Sequence, residues 1–175
     1  MRKLKLDELD RLSVEEFKAS SKTPIIVVLD NIRSAHNVGA FFRTCDALAV
    51  RQLVLTGITA KPPHKEIHKS AIGATESVDW IYEKEISTYL ETLKTSGIKI
   101  IGIEQTDSSI SLLDFKLETK DPIAIVFGNE VEGICNSVLT LLDQCIEIPQ
   151  FGTKHSFNVS VCGGIVLWEA FKQLR

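Results

Sequence analysis

A chain of 175 residues, 44 % hydrophobic and 25 % charged, is long enough for one domain with a substantial core. A formal net charge of −3 at pH 7 excludes a bulk polycation, so any contact with nucleic acid must come from local patches. No apolar run approaches the roughly 20 residues of a membrane span and residues 1–12 hold no apolar signal core, so the expected location is cytoplasmic.

In chain order, residues 1–22 form a helical extension. Basic and acidic residues alternate there around Leu4, Leu6, Leu9 and Leu12. Ser13-Val14-Glu15-Glu16 fits a capping box, so a short helix is expected from Val14 until Lys22-Thr23-Pro24 breaks it. Residues 23–175 then alternate short apolar runs with helical patterns. The runs are 25–29, 53–56, 78–82, 99–103, 123–127 and 145–148; the helical stretches are 37–49, 66–71, 86–95, 134–142 and 158–174. Runs nearly continuous in Ile and Val read as strands buried on both faces. The alternation predicts an α/β fold, a mostly parallel sheet with helices on both faces. Ligands of such sheets bind beyond the carboxyl ends of the strands, which directs attention to residues 30–37, 104–109, 128–133 and 149–156.

Several common sites are missing. No GxGxxG follows the first strand and no GxxxxGK[ST] occurs, which weighs against a dinucleotide-binding domain and a P-loop nucleotidase. Cys45, Cys135, Cys145 and Cys162 form no CxxC pair and lie in mostly apolar stretches, so reduced buried thiols are expected. His64 and His68 are four apart, half a metal site at best, and no acidic pair completes it; no metal is expected.

Three strand-end segments carry the chemistry. The first is Asp30-Asn31-Ile32-Arg33-Ser34-Ala35-His36-Asn37-Val38-Gly39-Ala40-Phe41-Phe42-Arg43. A helix is expected to begin near Asn37, with Gly39 allowing a close approach to its first turn. Arg43, among Phe41, Phe42 and Cys45, either snorkels to solvent or is held for a purpose. The second is Phe127-Gly128-Asn129-Glu130-Val131-Glu132-Gly133, where Gly128 permits a tight turn or a positive φ and Glu130 could cap the following helix. The third is Ile148-Pro149-Gln150-Phe151-Gly152-Thr153-Lys154-His155-Ser156-Phe157-Asn158-Val159-Ser160, a glycine loop leading to a helix that Ser156 could cap. That helix contains Gly163-Gly164, a cost of roughly 1 kcal/mol each relative to alanine, which a close crossing by another segment or subunit would offset.

In this order, NVGAFFR, FGNEVEG and IPQFGTKHSFNVS resemble the motifs of the TrmH (SpoU) family of RNA 2′-O-ribose methyltransferases, within the SPOUT superfamily. The resemblance runs from about residue 25 to the end. It implies a C-terminal deep trefoil knot, an exception to the usual rules of chain topology. It implies a homodimer with active sites at the subunit interface. It also implies a bent S-adenosylmethionine (SAM) held by Gly128, Asn129, Ile148, Pro149, Phe157 and Asn158, with help from Glu104, Gln105 and Thr106. The expected reaction is methyl transfer to a ribose 2′-hydroxyl of tRNA or rRNA. Arg43 matches the family's proposed base. Arginine is effectively always protonated in proteins, so the preferred role is a phosphate clamp that polarises the ribose, oriented by Asn37, Glu130, Ser156 and Asn158.

Arg33, His36, Lys154 and His155 lie within the motifs, and Lys61, Lys65 and Lys69 belong to the most basic run of the chain. Together they predict a local cationic RNA-binding surface around the SAM site, within an otherwise acidic protein. The chain ends soon after Trp168, so recognition is expected to fall to the dimer surface, which suits a compact tRNA better than rRNA. The alternatives are a knotted RNA base-nitrogen methyltransferase, a catalytically silent RNA-binding dimer and a flavodoxin-like nucleotide binder.

Overall fold

The computed structural model describes residues 1–5 and 8–175; Leu6 lies outside them. The first helix, α1 (Val14–Ala19), opens with the expected capping box: the Ser13 hydroxyl accepts the Glu16 N–H, and the Glu16 carboxylate accepts the Ser13 N–H. It buries no residue.

Among the described residues, seven strands form one sheet in the order β3-β2-β1-β6-β4-β7-β5. They are β1 (Thr23–Asp30), β2 (Val50–Thr56), β3 (Trp80–Glu83), β4 (Lys99–Ile103), β5 (Ile110–Ser111), β6 (Ile123–Phe127) and β7 (Gln144–Glu147). Every pairing is parallel. The β-branched runs suit this because both faces are covered. Ile25, Val27 and Leu29 of β1 join one core, and Ile26 and Val28 join the other, as a period of two requires. The first core is completed by α2 (Ala35–Ala47), α3 (Lys65–Ala71), α4 (Ala74–Ser77) and α7 (Val159–Leu174); the second by α5 (Ile86–Thr95) and α6 (Asn136–Leu139). No helix among the described residues is long and apolar enough to cross a membrane.

The structure departs from the sequence reading in places. The helix expected over 134–142 shrinks to α6, because Leu141 and Leu142 bond three residues back. The tightened turn lets Asp143 join the sheet, its N–H donating to Ile100 and its carboxylate accepting the Ile100 N–H at 2.8 Å. Helix α2 starts before Asn37: Ser34 is its cap, and its hydroxyl accepts the Asn37 N–H. Asn158, not Ser156, caps α7. The cysteines are free, but of the four Cys45 alone is buried; Cys135 is exposed.

The glycines mark close crossings. A Cβ on Gly39 would strike Ser70 and lie 2.6 Å from the Ile67 carbonyl, so α3 passes directly over the first turns of α2. A Cβ on Gly163 would overlap the buried Phe41 ring, whereas Gly164 faces open space. The neighbouring glycines therefore predict opposite outcomes. Gly163→Ala should cost about 1–3 kcal/mol through overpacking. Gly164→Ala should be neutral or gain up to about 1 kcal/mol in helix propensity. Urea denaturation of both variants checks the difference in sign.

Candidate functional site

Three loops meet beyond the carboxyl ends of β1, β6 and β7. Glu130 leaves β6 and reaches across to the start of α2. Its carboxylate accepts the Arg33 N–H at 2.8 Å, the Ser34 N–H at 3.0 Å and the Asn37 side-chain amide at 2.9 Å. It thus caps the helix after β1, not the one that follows it in sequence. The positive end of that helix favours a carboxylate there. Burial raises the Glu130 pKa, but the bonds from Arg33, Asn37 and Ser34 outweigh it and hold the carboxyl below its ordinary range.

The buried Asn37 passes the connection on. Its side-chain oxygen accepts the Asn158 amide at 3.1 Å. The Asn158 oxygen in turn accepts the N–H groups of Ser160 and Val161, capping α7. The Ser160 hydroxyl lies 2.7 Å from the Asn158 oxygen and 3.4 Å from that of Asn37. It has one proton, and the shorter contact is the better acceptor. One run of hydrogen bonds therefore ties the start of α2, the loop after β6 and the start of α7. Ser160 was not among the expected site residues, although it closes the quoted segment IPQFGTKHSFNVS.

The loop after β6 is held on its other side. The Asn129 amide donates to the Asn31 carbonyl at 2.6 Å, and its oxygen accepts the Val131 and Glu132 N–H groups. Its backbone pairs with Gly133, which sits at φ 67°. The Glu104 carboxylate accepts the Ile134 N–H at 2.9 Å. A Cβ on Gly128 would run into the backbone of Gly133 and Ile134. Gly128 is thus required by the chain folding back on itself, and its φ is not positive.

These loops enclose a cleft of about 420 Å³ at the ends of β4, β6 and β7. Of the expected cofactor residues, Gly128, Asn129, Ile148, Phe157, Asn158, Glu104 and Gln105 line it. Pro149 and Thr106 do not; Thr106 is engaged in a turn with Ser109. Apolar walls come from Ile103, Phe127, Ile146 and Ile148, and carboxylates from Glu104, Glu130 and Glu147. Ser156 and His155 stand on the rim, with Lys154 exposed beside them.

Arg43 is elsewhere. Six residues beyond Asn37, it is turned about 240° around α2. It is exposed, and no partner bonds its guanidinium among the described residues. It lines a second concavity with His36, Lys69, Ile72, Gly164 and Trp168. The basic run divides accordingly: Lys69 joins Arg43, Lys61 lies 4.0 Å above the Tyr82 ring, and Lys65 faces a separate hollow beside His64 and His68. Arg33 donates its backbone N–H to Glu130 and leaves its side chain exposed.

Because Glu130 titrates lower folded than unfolded, its contribution to stability is complete above about pH 4.3, the ordinary glutamate value. It is lost as pH falls through the lowered folded value. Melting temperatures measured from pH 7 to pH 3 should fall less steeply on the acid side in Glu130→Gln than in the unmodified chain, with the variant less stable at pH 7.

Comparison with known proteins gives the site its context. Residues 24–168 match the model of the SpoU rRNA methylase family. The chain is 31 % identical over 166 residues to the Vibrio parahaemolyticus 23S rRNA (guanosine-2′-O-)-methyltransferase RlmB, covering 95 % of this chain and 66 % of that one. It therefore spans about two thirds of that relative's length. It superposes on the A. aeolicus TrmH/SpoU tRNA modifying enzyme with a TM-score of 0.80 at 27 % identity, over 91 % of this chain and 81 % of that one. It shares its fold with the AdoMet-bound rRNA methyltransferase of Sinorhizobium meliloti, with a TM-score of 0.81 at 22 % identity, covering 91 % and 60 %. With its three motif loops hydrogen-bonded around one cleft and the family model spanning most of its length, the chain belongs to the SpoU rRNA methylase family.

Proposed function

We propose that this protein transfers a methyl group from SAM to a ribose 2′-hydroxyl of tRNA or rRNA. The observation that carries this reading is the hydrogen-bonded run Glu130–Asn37–Asn158–Ser160, which joins the three family motifs around the cleft. The cleft fits the cofactor on chemical grounds. Its volume is in the range of small-molecule sites, its apolar walls suit an adenine, and its three carboxylates suit a sulfonium cation. Gly128, Asn129, Ile148, Phe157 and Asn158 would hold it, with Glu104 and Gln105; Pro149 and Thr106 would act by supporting those loops.

When bound, SAM supplies an electrophilic methyl whose leaving group departs neutral, so the protein needs no general acid. The remaining work is to orient the hydroxyl and favour loss of its proton. Asn37 and Asn158, locked by Glu130, hold the cleft edge rigid, and Ser156 on the rim offers a hydroxyl to the ribose. Arg43 serves best as a clamp on the RNA phosphate, its planar fork matching phosphate oxygens. Arg33, His36, Lys61, Lys65, Lys69, Lys154 and His155 would supply further cationic contacts.

Arg43 and the cleft lie on different faces of one chain, so the reading calls for a homodimer that brings Arg43 of one subunit to the cleft of its partner. In support, α7 leaves Val161, Ile165 and Trp168 exposed beside Leu113. We further infer the family's trefoil knot. In support, β7 pairs with β4 on one side and β5 on the other, so the chain after β6 must pass the 104–122 connection. Residues 23–175 would form this catalytic unit and residues 1–22 an appendage, since α1 buries nothing and the family match begins at 24.

Four experiments test the reading. Calorimetry should detect SAM binding, and Gly128→Val should abolish it by breaking the loop. Arg43→Ala should leave SAM binding and the dimer intact and slow transfer of labelled methyl to RNA by at least about 100-fold; Arg43→Lys should fail too. Mixing Arg43→Ala with Gly128→Val subunits should restore partial activity, since one site per mixed dimer regains both parts. Mixed dimers without activity would sink the shared site. Separately, replacing Lys61, Lys65 and Lys69 with alanine should weaken RNA binding and flatten its salt dependence, leaving SAM affinity unchanged. An unmoved salt slope would exclude that segment from the RNA surface.

A further inference from the structure

The corner between α3 and α4 contains a conformational oddity. Ile72 ends α3 in the left-handed region, at φ 50° and ψ 52°, and Gly73 follows at φ 85°. A β-branched residue is a rare occupant of that region, where Cβ crowds the following carbonyl. Glycine or asparagine would adopt it at lower cost. Strain of this kind persists where something compensates for it. Here the turn ends α3, the Ile72 N–H donating to the His68 carbonyl, a task glycine or asparagine would perform as well, while the Ile72 side chain is 67 % exposed.

Its surroundings indicate a use for the exposed side chain. Ile72 lines the same concavity as His36, Arg43 and Lys69, together with Ala40, Thr44 and Trp168, and no carboxylate lines it. A cationic hollow with one exposed aliphatic side chain matches a nucleotide, with phosphate for the cations and the sugar–base surface for the aliphatic group. The hollow holds no anion of its own, and RNA supplies them.

We propose that Ile72 is an RNA-contact residue that packs against the nucleoside whose phosphate Arg43 holds. The strained corner presents its side chain to the substrate. This rests on the methyltransferase reading above. The left-handed turn fixes where the side chain stands, so the contact costs little ordering when RNA arrives.

The test uses the full-length protein, SAM, and in vitro transcribed tRNA and rRNA as probes. Ile72→Gly and Ile72→Asn relieve the backbone, so their melting temperatures should equal or exceed that of the unmodified chain by about 2 °C. Their SAM affinity and dimer dissociation should be unchanged. The KM for RNA should rise about tenfold, the loss expected for one aliphatic contact, with kcat altered much less. Ile72→Val should stay close to the unmodified KM. An unchanged KM in Ile72→Gly would overturn the proposal, as would a loss that disappears at higher protein concentration, which would assign Ile72 to a protein–protein contact. Absence of methyl transfer by the unmodified protein is a different signature, and defeats the methyltransferase reading itself.

Discussion

The site depends on a carboxylate bound to a helix that is distant from it in sequence. Glu130 occupies the start of α2 although 93 residues separate it from Asn37. The unpaired N–H groups there need acceptors, and a carboxylate is a strong one. Because the same bonds hold Asn37, and Asn37 holds Asn158, one ionised group organises three loops. The contacts are mutually required: a cap for α2, an orientation for Asn37 and a start for α7. Such a network tolerates little partial loss, since each amide left without its partner would be a polar group at a half-buried edge.

Charge is distributed so that the bulk value conceals it. The net −3 combines a carboxylate-lined cleft with a cationic hollow on the other side of α2. Glu104, Glu130 and Glu147 face the first; His36, Arg43 and Lys69 face the second. One helix separates the two signs, with its start committed to the cleft and its later turns to the hollow. The proposed reaction, joining a sulfonium to a polyanion, needs both environments close together without mutual neutralisation. Their position on separate faces is the physical reason for proposing a shared-site dimer.

Backbone conformation is used sparingly and with separate purposes. Asn31, at φ 55°, turns the chain so that its side chain accepts the Ile58 N–H and its carbonyl accepts the Asn129 amide, which stabilises the loop after β6 from below. Asparagine tolerates that region, and here its polar atoms are fully used. Gly128 serves a different need, the passage of the chain past itself, whereas Gly133 takes φ 67° beside the Glu104 carboxylate. Ile72 differs in that its left-handed turn ends α3, with its N–H donating to the His68 carbonyl, and leaves a β-branched side chain exposed.

Much was legible in the sequence because it depends on local patterns. The β-branched runs read as buried parallel strands, since the period of side-chain burial is written along each run. The Ser13–Glu16 capping box was legible for the same reason. The three polar junctions were legible as site loops, because strand ends in such sheets are where ligands bind, and their motifs carried the family. Other features needed the tertiary structure. β5 has two residues, too few to display any period. The end of α6 was decided by the need of Asp143 to meet Ile100 across the sheet. Which helix Glu130 caps depends on which one is nearest in space, and local sequence suggested the wrong one. Arg43 shares a motif with Asn37, yet the pitch of α2 turns it away from the cleft, so proximity in sequence did not become proximity in space. The sequence by itself determined the elements and the chemistry available to them. Packing decided which groups meet, because hydrogen-bond partners more than 90 residues apart leave no periodic trace in the chain.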